Sequence, residues 1–218
     1  SGVPLSWEAE KSRPGINLLA DFSNDTVRQI KYKVETIKQH NDIVIVSIHW
    51  GSNWGYDIPD EQVRFAHALI DEAGVDIIHG HSSHHPRPME VYKDKLIIYG
   101  TGDLINDFEG LKGRKNSKIN FRKLKKLWKL WKLNGHKKFR SDLALMYFAD
   151  VECSTGKLLD LKIIPMQIKK FRLNYPSRQD AEWLEKRMNK ACKKFNSRVE
   201  LKHPSSLQNL DNSLLLRW

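Results

Sequence analysis

IVIVSIHWGSNWGYDIPDEQVRFAHALIDEAGVDIIHGHSSHH, residues 43–85, holds two short apolar runs with a helical period between them. The first run, 43–48, closes on His49, and the second, 75–78, leads into His79-Gly80-His81-Ser82-Ser83-His84-His85. Runs of this length and β-branched content predict strands buried on both faces of an α/β sheet. Across 59–74, Val63, Ala66, His67, Ile70 and Ala73 recur at helical spacing, with proline near the start and glycine at the end, the ordinary start and stop signals of a helix. Strand, helix, strand makes a parallel crossover unit, and in such sheets ligands gather beyond the carboxyl ends of the strands. Both histidine positions fall there.

Four of the chain's nine histidines lie within 79–85. Neutral imidazole donates to a metal without first losing a proton, so His49, His81 and His84 together are read as metal ligands. Gly80 is expected to let the backbone turn sharply and come close to an ion. His79 and His85, each taken alone, can be a hydrogen-bonded core or rim residue rather than a metal ligand. Asn53, Trp54 and Tyr56 follow His49 in a glycine-bounded loop. Trp54 offers a wall or stacking platform for substrate and Asn53 a hydrogen bond to a phosphoryl or carbonyl oxygen; plain rim packing is the alternative.

The rest of the chain is scaffold. Ser23 or Asn24 can cap a helix reaching about residue 39, with Val27, Ile30, Val34 and Ile37 on one face. Residues 143–151 and 158–168 form a strand pair turning at Ser154-Thr155-Gly156. A helix over 178–195 faces Ala181, Leu184, Met188, Ala191 and Cys192 inward, with short strands at 198–201 and 214–218 and a polar loop at 204–212. At 218 residues, 40% hydrophobic and 29% charged, the composition is that of one globular domain. No apolar run is long enough to span a membrane as a helix. Cys153 and Cys192 lack metal-site spacing and make no disulfide framework.

The net charge of +11 belongs to one segment. Residues 111–140 carry 13 Lys or Arg and no acid, which leaves −2 for the remainder. Within it Phe121, Leu124, Leu127, Trp128 and Trp131 alternate with lysines at helical spacing and end at Asn134-Gly135, predicting a basic amphipathic helix. Three partners suit it: the protein body, an anionic membrane surface, or a polyanionic polymer. Nucleic acid ranks last, because the charge is confined to one segment and no nucleic-acid module is recognisable.

Several long segments in order carry a resemblance: SGVPLSW (1–7), RPGINLL (13–19), IVSIHWGSNWGYDIP (45–59), FAHALIDEAGVDIIHGHSSHHPRPMEVY (65–92), IIYGTGDLINDFEG (97–110), DLALMYF (142–148) and FRLN (171–174). Residues 1–110 and 141–218 resemble the bacterial capsule synthesis CapA family, or poly-gamma-glutamate biosynthesis proteins, within the calcineurin-like metallophosphoesterase superfamily. The resemblance implies a partial metallophosphoesterase-like α/β/β/α sandwich over residues 1–218, with the basic helical insert at 111–140. It also implies a centre with two divalent ions, Mn, Fe or Zn, held in part by His49, His81 and His84. Asp103, in the turn 102–107, becomes a residue of site geometry or substrate contact, and Glu90 a supporting one. A metal-bound hydroxide would attack phosphorus in line while His85 or His79 protonates the leaving oxygen. The substrate is then a phosphoester or a polyanionic polymer, handled at the cell envelope or outside it. A two-metal centre also needs carboxylate and amide ligands, which the superfamily takes from earlier strands; none occur in this chain. The expectation is therefore the carboxyl-terminal part of a longer protein, with a half-built centre. The other reading is a non-catalytic accessory of polymer synthesis or export.

Overall fold

The computed structural model describes residues 3–106, 139–202 and 213–218. Ser23 caps helix α1 (Asn24–Ile37), its side chain accepting from the Thr26 amide. Val27 and Val34 are buried, but Ile37, which spacing placed on the same face, is exposed in the last turn. Helix α2 (Asp60–Asp71) starts after Pro59 and buries Phe65, Ala66, Leu69 and Ile70.

Strands β1 (Ile45–His49) and β2 (Ile77–His81) pair in parallel, with His49 opposite His81. The hairpin of β3 (Met89–Tyr92) and β4 (Lys95–Ile98) turns at Lys93 and Asp94, both at positive φ, the two-residue geometry that matches strand twist. The hairpin sends β3 to the edge and returns β4 beside β2, so the order is β1-β2-β4-β3. A second, antiparallel sheet has the order β5-β6-β9-β8, from β5 (Leu143–Val151), β6 (Leu158–Lys169), β8 (Arg198–Leu201) and β9 (Leu214–Arg217). The short β7 (Arg172–Asn174) pairs with β6. Helix α3 (Arg178–Cys192) is capped by Ser177 and passes into a single 3₁₀ turn, Lys193–Phe195.

Side-chain alternation divides the interior into two cores. Ile48, Ile78, Ile97 and Tyr99 face α1 and α2, against Val27, Phe65 and Leu69. Met89, Leu96 and Ile98 face the other way and join Leu161, Ile163, Leu216 and, from α3, Leu184 and Met188. A helix layer, the mixed sheet, and the second sheet with α3 thus stack in the expected α/β arrangement.

Expected burial on both faces fails for β1. Ile45 is 59% exposed and Ser47 and His49 are exposed, while Ile48 is buried. Strand β1 is the edge of its sheet, and among the described residues the second sheet covers β3, β4 and part of β2 without reaching it. One face of β1 therefore meets the helices and the other is open.

The amino ends of these strands are fastened by Asp76, which is buried. It accepts from the Val44 amide at 3.0 Å, from Lys38 Nζ at 3.2 Å and from Lys95 Nζ. Lys95 also donates to the Thr155 carbonyl in the β5–β6 turn. Gly156 lies so close that a Cβ there would fall 2.0 Å from Asp76 Oδ1. Burial pushes the Asp76 carboxyl up, but the hydrogen bonds and charge of Lys95, with the Val44 amide and Lys38, outweigh it and hold the group below the usual carboxylate range.

The basic-helix reading of 121–135 and the loop 204–212 lie outside the described residues. Phe139 and Arg140, assigned from charge to the insert, belong instead to the folded body. Phe139 is buried, and Arg140 pairs with Asp142 and Asp180 at 2.8 Å.

Candidate active site

The parallel register brings His49 and His81 side by side on the open face at the carboxyl ends of β1 and β2, Nδ1 to Nδ1 3.3 Å. His79, two residues before His81, shares that face; its Nδ1 is 2.9 Å from Ser47 Oγ and its ring centroid 5.7 Å from that of His81. Burial lowers the pKa of His79, and burial followed by repulsion from His49 and His79 lowers that of His81. Both therefore stay neutral near pH 7, the form that binds a metal. Two imidazole nitrogens bound to one ion at about 2.0–2.1 Å in tetrahedral geometry stand about 3.3–3.4 Å apart, so this pair fits two adjacent ligand positions.

Gly80 does something other than expected. A Cβ there would lie 2.3 Å from Trp50 Nε1 and 2.7 Å from the Ile98 and Tyr99 carbonyl oxygens. The glycine lets the Trp50 indole cross the strand and donate to Tyr99 O at 3.1 Å, which clamps the β1 end against β4. The sharp turn comes two residues later at Ser82, with φ 121°.

Beyond that turn His84 is held from two sides. Its Nδ1 is 2.9 Å from Asp103 Oδ2, and its Nε2 lies 3.4 Å from Asn53 Nδ2. An amide nitrogen can only donate, so Nε2 is the acceptor and Nδ1 carries the proton toward Asp103. The His84 amide also donates to Asn53 O at 3.1 Å, and the Trp54 ring lies 5.4 Å away. A carboxylate on one imidazole nitrogen fixes tautomer and ring orientation, the arrangement that supports metal-binding histidines. Asp103 is thus a positioning residue for His84. Asn53 and Trp54 contact the same ring.

His85 is placed where it cannot serve as the acid. It is 0% exposed, with Nδ1 on the Pro86 carbonyl at 2.9 Å and Nε2 accepting from the Gly55 amide at 3.1 Å. Its ring packs against Trp54, Tyr56 and Phe139, with the Phe139 centroid at 4.6 Å. Burial, the largest cause, pushes its pKa down to about 4. With both nitrogens committed to backbone groups, His85 pins the 51–58 loop and has no proton to hand to a leaving oxygen.

The three proposed metal ligands are not gathered at one point. His49 and His81 meet, His84 turns to Asp103, and among the described residues no group of three or more His, Cys, Asp or Glu is arranged to hold an ion. Glu90 accepts from Tyr99 and lies 2.9 Å from His67 Nε2, a packing network beneath the sheet. The sequence reading passed over Arg87. Buried under the loop, it donates to Asp57 O at 2.6 Å. Its NH1 leaves no room for a Cβ at Gly51, 2.8 Å away.

A family model described as bacterial capsule synthesis protein PGA_cap matches residues 1–108. A probable polyglutamine synthesis accessory protein of Mycobacterium tuberculosis is 40% identical over 200 residues, 91% of this chain and 47% of the relative. The PGA biosynthesis protein CapA of Bacillus subtilis is 38% identical over 88 residues, 40% of this chain and 23% of the relative. The capsule biosynthesis protein CapA of Bacillus anthracis is 32% identical over 111 residues, 51% and 26% of the two chains. The chain spans about half the length of the mycobacterial relative and less of the others. The matched residues include both histidine-bearing strand ends and the Asp103 turn, and on this evidence the chain belongs to the bacterial capsule synthesis CapA family.

Proposed function

We propose that the chain supplies one wall of a divalent-metal centre, binding Mn, Fe or Zn, that hydrolyses a phosphoester bond in capsule or poly-gamma-glutamate biosynthesis at the cell envelope. The supporting observation is the His49–His81 pair, set in register at two parallel strand ends with 3.3 Å between facing nitrogens. A bound ion would supply a hydroxide nucleophile at neutral pH and polarise the phosphoryl oxygen. The chain's own residues do the rest. His49 and His81 set facing ring nitrogens at the two strand ends, and burial favours the neutral form of His81. Asp103 keeps the His84 proton on Nδ1, so that Nε2, which accepts from Asn53 in this structure, could become a third donor only once that amide turns away. Asn53 offers an amide hydrogen beside that nitrogen, and Trp54 covers the ring from water. With His85 committed to the loop, His79 is the imidazole on the open face that can exchange a proton.

The test is metal content after loading with each ion, measured by mass spectrometry, together with hydrolysis of bis(4-nitrophenyl) phosphate. Stoichiometric metal that His81→Ala removes supports the reading. A chain that takes up no metal, or a variant with unchanged content, ends it.

A non-catalytic accessory role is the second reading, favoured by the accessory-protein name of the mycobacterial relative. Vesicle or polyglutamate binding that disappears when 118–133 is deleted, without metal-dependent turnover, would select it.

A further inference from the structure

Next to the aromatic wall that holds His85 lies a groove of about 380 Å³, between the loop carrying Tyr56 and the end of α3. Tyr56, Asp57, Phe139, Arg187, Lys190 and Lys194 line it, so three cations face one carboxylate. The cations recur at three- and four-residue spacing, which puts them on one helical stripe. Solvated lysines on a helix are ordinary, but Arg187 is not of that kind. It is half-buried, its guanidinium lying 5.0 Å from the Tyr56 ring centroid and 5.4 Å from that of Trp183.

Stacking between two rings fixes a side chain that otherwise has much rotamer freedom to lose, so little is left to lose on binding. Lys194 is already committed to Asp60 at 2.6 Å. Among the described residues neither Arg187 nor Lys190 has a carboxylate at ion-pair distance, although α3 forms such a pair at Arg178–Glu182. A fixed, unneutralised guanidinium in a concave, partly aromatic groove is what planar anion recognition requires. Burial, offset in part by Arg187, raises the Tyr56 pKa to about 12, so its hydroxyl adds no negative charge to the groove.

We propose that this groove is a recognition site for an anionic group, carboxylate or phosphate, of an extended acidic ligand, with Arg187 as its anchor and Lys190 beside it. Tyr56 and Phe139 form its apolar floor and also pack against His85. Trp54, 5.6 Å from Phe139 and 5.4 Å from His84, continues that floor to the histidines. A ligand held at Arg187 would therefore run along the aromatic wall toward the open face. The direction of that run rests on the proposed hydrolytic reading; the binding does not.

Binding should be measured on chelator-treated chain, so that failure of the metal centre leaves this experiment intact. The probes are a short glutamate oligomer, tripolyphosphate and, as the neutral control, a glutamine oligomer of equal length. The expected result is that at least one anionic probe binds and the neutral one does not, the better anion identifying carboxylate or phosphate as the source. Arg187→Ala should weaken that binding about 10- to 100-fold, the loss of charge-assisted hydrogen bonds, and Lys190→Ala about 3- to 5-fold. Should Arg187→Ala melt below the assay temperature, the exposed Lys190→Glu carries the test and must weaken binding by more than Lys190→Ala does. If neither anion binds, or if affinity is unchanged in the folded variants, the proposal is overturned, and any polyanion binding that remains belongs elsewhere on the chain.

Discussion

The two ends of the same pair of strands are built on opposite plans. At the amino ends of β1 and β2, Asp76 is buried and bonded to Val44, Lys38 and Lys95, which in turn holds the β5–β6 turn. At the carboxyl ends, His49, His79 and His81 stand on an open face, with no carboxylate on any of them among the described residues. One end bonds its polar groups to each other; the other leaves imidazole nitrogens on an open face. In parallel sheets the carboxyl end is where ligands bind, and here the difference is visible in the hydrogen bonds.

The contrast breaks most sharply if the open end turns out not to be functional. His81→Ala should reduce metal affinity more than about 100-fold, since changing even an outer partner of a ligand costs about 10- to 100-fold, while the melting temperature of the metal-free chain barely moves. An equal fall in stability would mean that His81 is packing, as Asp76 is.

His85 tests whether the adjacent loop belongs to the closed plan. His85→Ala removes a buried ring stacked on aromatic neighbours and leaves the Gly55 amide without its acceptor. A loss of about 3–4 kcal/mol in chemical denaturation is expected. A variant of near wild-type stability would return His85 to the pool of catalytic candidates.

Asp76→Ala should cost about 3 kcal/mol by stranding Lys95 and the Val44 amide, without changing metal affinity in the folded fraction. The pH dependence follows from the depressed carboxyl. Its contribution is complete above the unfolded value near about 4 and is lost as pH falls through the lower folded value. The gap between wild type and Asp76→Asn should therefore narrow as pH falls below about 4; a constant gap would contradict the ion-pair account.

What was legible in sequence was local. The helix cap at Ser23, the strand runs ending in His49 and His81, and the 143–168 strand pair are signalled by neighbours in the chain. The order β1-β2-β4-β3 was not, because its hairpin turns on Lys93 and Asp94 rather than on Asn-Gly. The Lys170–Phe171 turn into β7 hides for the same reason. Periodicity marks which residues of β1 share a face, but it cannot say that the second sheet stops short of it. At the site, four adjacent histidines look alike in sequence, and only the paths of distant elements separate them. His81 gains His49 from 32 residues away, His84 gains Asp103, and His85 is closed off by Phe139, a residue that charge alone placed in the insert. Arg187 reaches the neighbouring groove from α3, a helix of mixed charge whose sequence does not single it out.

Asp103 sharpens the comparison most finely, because it is a carboxylate at the open end and superficially resembles Asp76. Asp76 ties backbone and lysines together inside the fold; Asp103 is about one-quarter exposed and touches the Nδ1 of a single imidazole. Asp103→Asn keeps the shape, but its amide can meet Nδ1 with either its oxygen or its nitrogen. If the nitrogen donates, Nδ1 must accept and the His84 proton moves to Nε2, the nitrogen proposed to face the metal. The expected outcome is a 10- to 100-fold fall in metal affinity or turnover with little change in the melting temperature. NMR of the His84 ring nitrogens would report a shift of the proton from Nδ1 toward Nε2. A loss of stability like that of Asp76→Ala, with metal affinity intact, would make Asp103 a fastening residue and erase the distinction between the two ends.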